Sequence, residues 1–236
     1  MSLILHIETA TETCSVALCK GADVIAEKES TEMNVHSSKL TVFIEEMFQD
    51  TAIDISSLDA VAVSKGPGSY TGLRIGVSAA KGICYGIGKP LIAINTLQSL
   101  ANGFLQNIEK YFEADTEEQF LLCPMLDARR MEVYTAMYDK LLNEIKPVTA
   151  TIINEDSFSE ELEKQKIIFF GNGSDKCSNV ILHKNAVFIK EINAHASYMS
   201  SLSLKCFISG TFEDVAYFEP YYLKDFITTI PKKIVF

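Results

Sequence analysis

Four sets of residues in this chain have types and spacings that could do chemistry. Gly66-Pro67-Gly68-Ser69-Tyr70-Thr71-Gly72-Leu73-Arg74 follows an apolar run and feeds a helix, and N–H groups at such a helix start can hold an anion. It is not a P-loop, which needs G-x-x-x-x-G-K-[ST], because Gly72 is followed by Leu73 and Arg74. Nor is it the dinucleotide fingerprint: Gly66, Gly68 and Gly72 are spaced one residue too widely, and no acidic residue follows at the ribose-reading distance. Ser78-Ala79-Ala80-Lys81 fits S-x-x-K, but no K-T-G or S-D-N accompanies it. His36 opens a helical stretch in which a zinc or iron site would want a second histidine four residues on, and Leu40 stands there. A lone helical histidine is more often a cap or packing residue. The six cysteines (14, 19, 84, 123, 177 and 206) form no C-x-x-C pair and lie mostly in apolar segments, which reads as buried thiols in a reducing cytoplasm.

The glycine-rich loop belongs to a βαβ unit spanning residues 59–94. Ala60 to Val63 reads as a buried strand and Leu91 to Ile94 as the next. The helix between them is capped by Ser69 or Thr71 and runs to Gly86 or Gly88. Leu73, Val77, Ala80, Cys84 and Ile87 make its core stripe, beside a second stripe of Gly72, Gly76, Ala79, Ile83 and Gly86. Each interior glycine costs about 1 kcal/mol relative to alanine. The offset is expected from a backbone lying close, either inside the fold or on a partner helix.

Before this unit come strands at Leu3 to Ile7, Ser15 to Cys19 and Val24 to Glu29, then an amphipathic helix from His36 to Phe48 with Leu40, Phe43, Ile44, Met47 and Phe48 on its apolar face. After it, Leu97 to Ile108 reads as a helix capped by Asn95-Thr96, and Glu109 to Gln119 as a charged loop. Strand signals restart at Phe120 to Leu126, Glu132 to Tyr138, Pro147 to Ile152, Lys166 to Phe170 and Ala186 to Ile189. Helices are expected at Glu155 to Glu163, from Ser174 through Val180, and at Ala196 to Gly210. The second half repeats the layout of the first, so a duplicated two-lobe α/β architecture is expected, with lobes at 1–100 and 101–236 and the segment from about 212 packing back on the first lobe.

Composition fits a globular chain of 236 residues, 47% hydrophobic and 22% charged. The net charge of −10 argues against direct binding of nucleic acid, and Lys232-Lys233 is too small a basic cluster to change that. The apolar run before Glu8 is too short for a signal peptide or a membrane span, so a cytoplasmic protein without membrane attachment is expected.

Three motifs together resemble the TsaB family, also called YeaZ, the bacterial paralogue of the threonylcarbamoyl transferase TsaD. They are Ile7-Glu8-Thr9-Ala10-Thr11 with Cys14-Ser15-Val16-Ala17-Leu18, then Gly66 to Gly76, then Asp127-Ala128-Arg129 with Glu132-Val133-Tyr134. The resemblance implies an actin/Hsp70-like (ASKHA) fold, two lobes each with a five-stranded mixed sheet. It also implies a role in making N6-threonylcarbamoyladenosine at position 37 of tRNAs that read codons beginning with A. There the family member is a non-catalytic scaffold that binds TsaD, works beside the ATPase TsaE, meets tRNA only indirectly, and forms a homodimer through the same helices when alone. The interface residues so implied are His36, Leu40, Phe43, Met47, Gly72, Arg74, Gly76, Ala79 and Ile83.

The departures from relatives of this fold bear on catalysis. The transferase's metal-binding H-x-x-x-H is reduced to His36 with Leu40, so no metal is expected. Glu8 stands where ATPases of this fold place an Asp, and Asp127 holds the corresponding place in the second lobe. With Thr9, Gly66, Gly68, Ser69, Arg129, Gly171 and Gly173 these residues are the implied remnant of a nucleotide site. No intrinsic cofactor is expected, with ATP or ADP at the TsaD interface as the one nucleotide left open. The competing readings are an ATP-dependent kinase or ATPase of the same fold, resting on Glu8, Asp127 and Gly171-Asn172-Gly173, and last a glycoprotease, which lacks H-E-x-x-H.

Overall fold

Val61 and Val63 point to one face of their strand and Ala60 and Ala62 to the other, and both faces are buried. A strand covered on both sides must sit inside a layered molecule. The computed structural model describes residues 1–32, 35–111 and 119–224 and contains two such layers. The first sheet holds β1 (Leu3–Glu8), β2 (Cys14–Lys20), β3 (Asp23–Ser30), β4 (Ala60–Gly66) and β5 (Leu91–Asn95), in the order β3-β2-β1-β4-β5. The second holds β6 (Phe120–Asp127), β7 (Glu132–Tyr138), β8 (Glu144–Ile152), β9 (Lys166–Phe170) and β10 (Ala186–Phe188), in the order β10-β9-β6-β7-β8.

The two sheets share one topology. In each, the first three strands form an antiparallel meander, and the fourth and fifth join the other edge of the first strand in parallel. The expected duplication of five-stranded mixed sheets is therefore present strand for strand.

Helices fill the spaces around the sheets. Helix α1 (His36–Thr51) and helix α2 (Tyr70–Ile87) cover the outer face of the first sheet, burying Leu40, Ile44, Met47, Val77 and Ala80 against Leu5, Ile7, Val16 and Val61. Ser69 caps α2, accepting from the Gly72 N–H, and Gly88 ends it in the left-handed conformation. Helix α3 (Thr96–Gln106), capped by Asn95, lies on the inner face of the second sheet with Phe104 against Phe170. Residues 196–199 and helix α6 (Ser200–Ser209) cover the inner face of the first, with Met199 and Leu202 among Ile4, Ala62 and Ile94. The lobes are tied through this middle layer: Ser15 Oγ accepts from the Ala196 N–H at 2.9 Å, and Asn102 donates to the Tyr198 carbonyl at 2.6 Å.

Three helical expectations and one loop need correction. The segment 109–119 begins as a short helix, α4 (Ile108–Tyr111), and its residues 112–118 lie outside those described, as does Lys232-Lys233. Glu155 to Glu163 shrinks to α5 (Ser159–Leu162), where Leu162 is the one buried residue. Ser174 caps no α-helix: its hydroxyl donates to the Gly171 carbonyl, and only a 3-10 turn at Asp175–Cys177 follows. Ala196 to Gly210 is split into a 3-10 turn and α6. The second lobe thus keeps the sheet of the first but reduces its outer helices to single turns.

The chain after α6 runs back along the first lobe. The Glu213 N–H donates to Leu91 O, Lys81 Nζ donates to the carbonyls of Ala216 and Phe218, and the Tyr221 N–H donates to Lys65 O. Among the described residues no helix is long and apolar enough to cross a membrane.

Candidate functional site

Alternation along β1 places Ile4, His6 and Glu8 on the inner face of the sheet, so Glu8 ends the central strand fully buried. Its Oε1 accepts from the Ala10 N–H at 2.6 Å and from Ser64 Oγ on β4 at 2.7 Å, while Oε2 meets no protein donor among the described residues. Burial pushes the carboxyl from its ordinary 4.5 up to about 7, against the opposing pull of hydrogen bonds from Ala10, Ser64 and Thr9.

The turn that follows is tied to both outer helices. Thr9 Oγ1 donates to the Gly72 carbonyl at 2.8 Å, and the Ser69 N–H donates to the Ala10 carbonyl at 2.7 Å. His36, the first residue of α1, donates from Nε2 to the Thr11 carbonyl at 2.9 Å. His36 is therefore a packing residue that fastens α1 to the turn.

This turn also explains two of the helix glycines. A Cβ at Gly72 would overlap the Thr9 carbonyl oxygen, and one at Gly76 the Thr9 hydroxyl. The close backbone that offsets their cost lies inside the monomer, and neither glycine is exposed. Gly82 and Gly86 differ, since a Cβ at either would meet open space.

The implied interface residues consequently divide. His36, Leu40, Met47, Gly72 and Gly76 are buried in the first lobe, which corrects their placement on a partner surface. Phe43, Ala79 and Ile83 lay one side on the core and leave the other open. Arg74 is exposed, its guanidinium over the Tyr70 ring and its Nε donating to Tyr222 Oη at 3.1 Å.

The implied nucleotide remnant does not come together as an anion cradle. The N–H groups of Ala10, Ser69 and Gly72 are committed to Glu8, to Ala10 O and to Ser69 Oγ. Gly68 lies against Ala10, leaving no space for a Cβ, and Gly66 lies against the Tyr221 carbonyl. In the second lobe Asp127 is paired with Lys176, whose Nζ also donates to the carbonyls of Arg130 and Glu132 at 2.7 and 2.6 Å. Gly173 packs directly on the Leu126-Asp127 peptide, Gly171 lies against the Met125 carbonyl, and Arg129 sits in the exposed β6–β7 turn with a positive φ. These residues do not fit a phosphate within this chain, and no group of three His, Cys, Asp or Glu side chains gathers among the described residues.

Sequence reasoning missed two features. His6 is buried two residues before Glu8, its Nε2 2.6 Å from Ser203 Oγ on α6, and desolvation lowers its pKa from 6.5 to about 4. The same-face spacing of His6 and Glu8 on a strand otherwise apolar was the available signal. Gly82, four residues before Gly86, lies beside the small-residue stripe of α2, and that spacing is its signal in the sequence.

A family model described as TsaD, tRNA N6-adenosine threonylcarbamoyltransferase, matches residues 24–218. The tRNA threonylcarbamoyladenosine biosynthesis protein TsaB of Bacillus subtilis is 31% identical over 189 residues, covering 78% of this chain and 74% of the relative. TsaB of Escherichia coli is 27% identical over 232 residues, covering 94% of each. The solved structure of YeaZ from Pseudomonas aeruginosa superposes with a TM-score of 0.81 at 21% identity, over 94% of this chain and all of that one.

Proposed function

The chain belongs to the TsaB (YeaZ) family of tRNA threonylcarbamoyladenosine biosynthesis proteins, and we propose that it serves that pathway as a docking subunit for a TsaD-type transferase. The product is N6-threonylcarbamoyladenosine at position 37 of tRNAs reading codons that begin with A, and the transfer chemistry belongs to the partner. This role is cytoplasmic, with tRNA reached only through the complex, as the net charge of −10 favours.

The observation that carries the reading is the outward side of α1 and α2. These helices pack on each other and present Val42, half-open Phe43, Ala79 and Ile83, and Tyr85 at 86% exposure. Gly82 and Gly86 lie on α2 with open space where a Cβ would be. Each costs the helix about 1 kcal/mol, and no contact among the described residues offsets it. A partner helix laid against them would. Without the transferase, a second copy occupies the same surface as a homodimer. The TsaE-type ATPase joins the assembled pair, and any ATP or ADP sits at the contact with TsaD rather than inside this chain.

Equilibrium binding of the cognate TsaD, with and without ATP, tests this. Ile83→Arg should abolish association while the free protein stays folded by circular dichroism, with a modest fall in thermal midpoint because one side of Ile83 rests on the core. Unchanged affinity in that variant would overturn the assignment of the surface.

A further inference from the structure

The stretch from Gly66 to Arg74 has the composition of a ligand loop, yet what it holds is the chain's own Tyr221 and Tyr222. The Tyr221 N–H donates to the Lys65 carbonyl at 2.7 Å, and a Cβ at Gly66 would overlap the Tyr221 carbonyl oxygen. The Tyr70 and Tyr222 ring centres are 4.7 Å apart, and Arg74, lying over Tyr70, donates to Tyr222 Oη at 3.1 Å. Lys81 Nζ donates to the carbonyls of Ala216 and Phe218 at 3.2 and 2.9 Å, and the Glu213 N–H donates to Leu91 O at 2.9 Å. Residues 213–222 therefore run antiparallel to α2 along its whole length, from Leu91 beyond its last turn back to Tyr70 in its first. The lengths agree: ten extended residues reach about 30 Å, and an 18-residue helix spans about 27 Å.

This strap has an inner and an outer side. Val215 and Phe218 pack on the core of the first lobe, whereas Tyr217 between them is 84% exposed. Arg74, Lys81 and Tyr85 share one stripe of α2, being seven and four residues apart. Ala79 and Ile83 stand two residues to either side of Lys81, about 160° away around the helix. Gly82, Tyr85 and Gly86 occupy the arc between. The strap is thus one edge of the strip that holds the open glycines, and the exposed rings of Tyr85 and Tyr217 belong to that edge. Tyrosine and arginine are the residue types enriched where interfaces gain most of their affinity.

We propose that the strap is a third element of the docking surface: it presents Tyr217 to the TsaD-type partner beside α1 and α2, and the Gly66–Arg74 motif is the seat that fixes it there. This deepens the docking role proposed above and rests on it. The occupant is the partner and not a second copy. Residues 213–222 carry Glu213, Asp214 and Glu219 and no basic side chain, so two copies would set like charges against each other. A face with an apolar centre and basic residues at its edge complements them.

The test is affinity for the cognate TsaD, with Ile83→Arg as the reference for the helical part of the surface. Tyr217→Ala should weaken binding about tenfold, while Tyr217→Phe keeps most of it. Both should fold as the wild type does, since the ring is exposed. Tyr222→Ala empties the seat on Tyr70 and Arg74, so amide exchange in residues 213–222 should accelerate and affinity should fall with Tyr217 intact. Unaltered affinity in Tyr217→Ala, beside a loss in Ile83→Arg, would overturn the strap's part and leave the helical surface standing. Unchanged exchange in Tyr222→Ala would do the same, as would a Tyr217→Ala defect in self-association alone by sedimentation. Wild-type affinity in both Tyr217→Ala and Ile83→Arg would overturn both readings.

Discussion

Replacing Glu8 by Gln should make the fold more stable at alkaline pH, by an amount that follows from burial. The folded carboxyl titrates at about 7 and the free one at 4.5. At 1.36 kcal/mol per pH unit, that gap corresponds to about 3 kcal/mol. Because the folded state holds this proton more tightly than the unfolded state, the contribution is complete below pH 4.5 and is lost as pH rises through 7. Gln imitates the uncharged form at every pH. The difference in stability between variant and wild type should therefore grow in favour of the variant by about 3 kcal/mol from pH 4.5 to pH 8. His6 works in the opposite sense: lowered to about 4, its contribution is present above pH 6.5 and lost as pH falls through 4. It is common to both proteins and drops out of the difference. For a chain of this size, about 3 kcal/mol corresponds to a relative shift in thermal midpoint of about 6–12 °C. Paired thermal scans across that range would measure it, and a difference independent of pH would refute the argument.

Three further outcomes are expected. Gly72→Ala should destabilise the free protein more than Gly76→Ala, because the first meets the Thr9 carbonyl and the second a hydroxyl; overpacking costs about 1–3 kcal/mol against about 1 kcal/mol of helix propensity gained, and paired urea titrations would show the order. Gly82→Gln should do the reverse, stabilising the monomer by roughly 0.5–1 kcal/mol while weakening association with TsaD and with a second copy; sedimentation together with thermal melting would separate the two effects. Calorimetric titration of the isolated protein with Mg-ATP should show neither micromolar binding nor turnover, since the turn's N–H groups serve Glu8, Ser69 and Ala10; either signal would favour the kinase or ATPase reading.

The strands were legible as short apolar, Val-rich runs broken by turn residues: Ala60 to Val63 is apolar throughout because both of its faces are buried. The long helices α1 and α2 were legible because each has a continuous apolar stripe. The outer turns of the second lobe were not. Around α5 only Leu162 is buried, so the acidic stretch has the composition of a helix without a face to hold it. The site was legible as residue types but not as roles. A glycine at helical spacing shows that something lies close, not which side it comes from. Gly72 and Gly76 are answered by Thr9, Gly82 and Gly86 by nothing among the described residues. Likewise the sequence shows Glu8 at the end of a mostly apolar strand but not that it is fully buried on the inner face of the sheet.

The central claim is that this chain supplies a surface while its partner supplies the chemistry. Formation of threonylcarbamoyladenosine on unmodified tRNA, given threonylcarbamoyl-adenylate, tests it most directly when this protein, the cognate TsaD, and the two together are compared. Product is expected with both proteins, none with this chain alone, and a loss with Ile83→Arg in the mixture. Product from this chain by itself, or an equal rate from TsaD without it, would contradict the account.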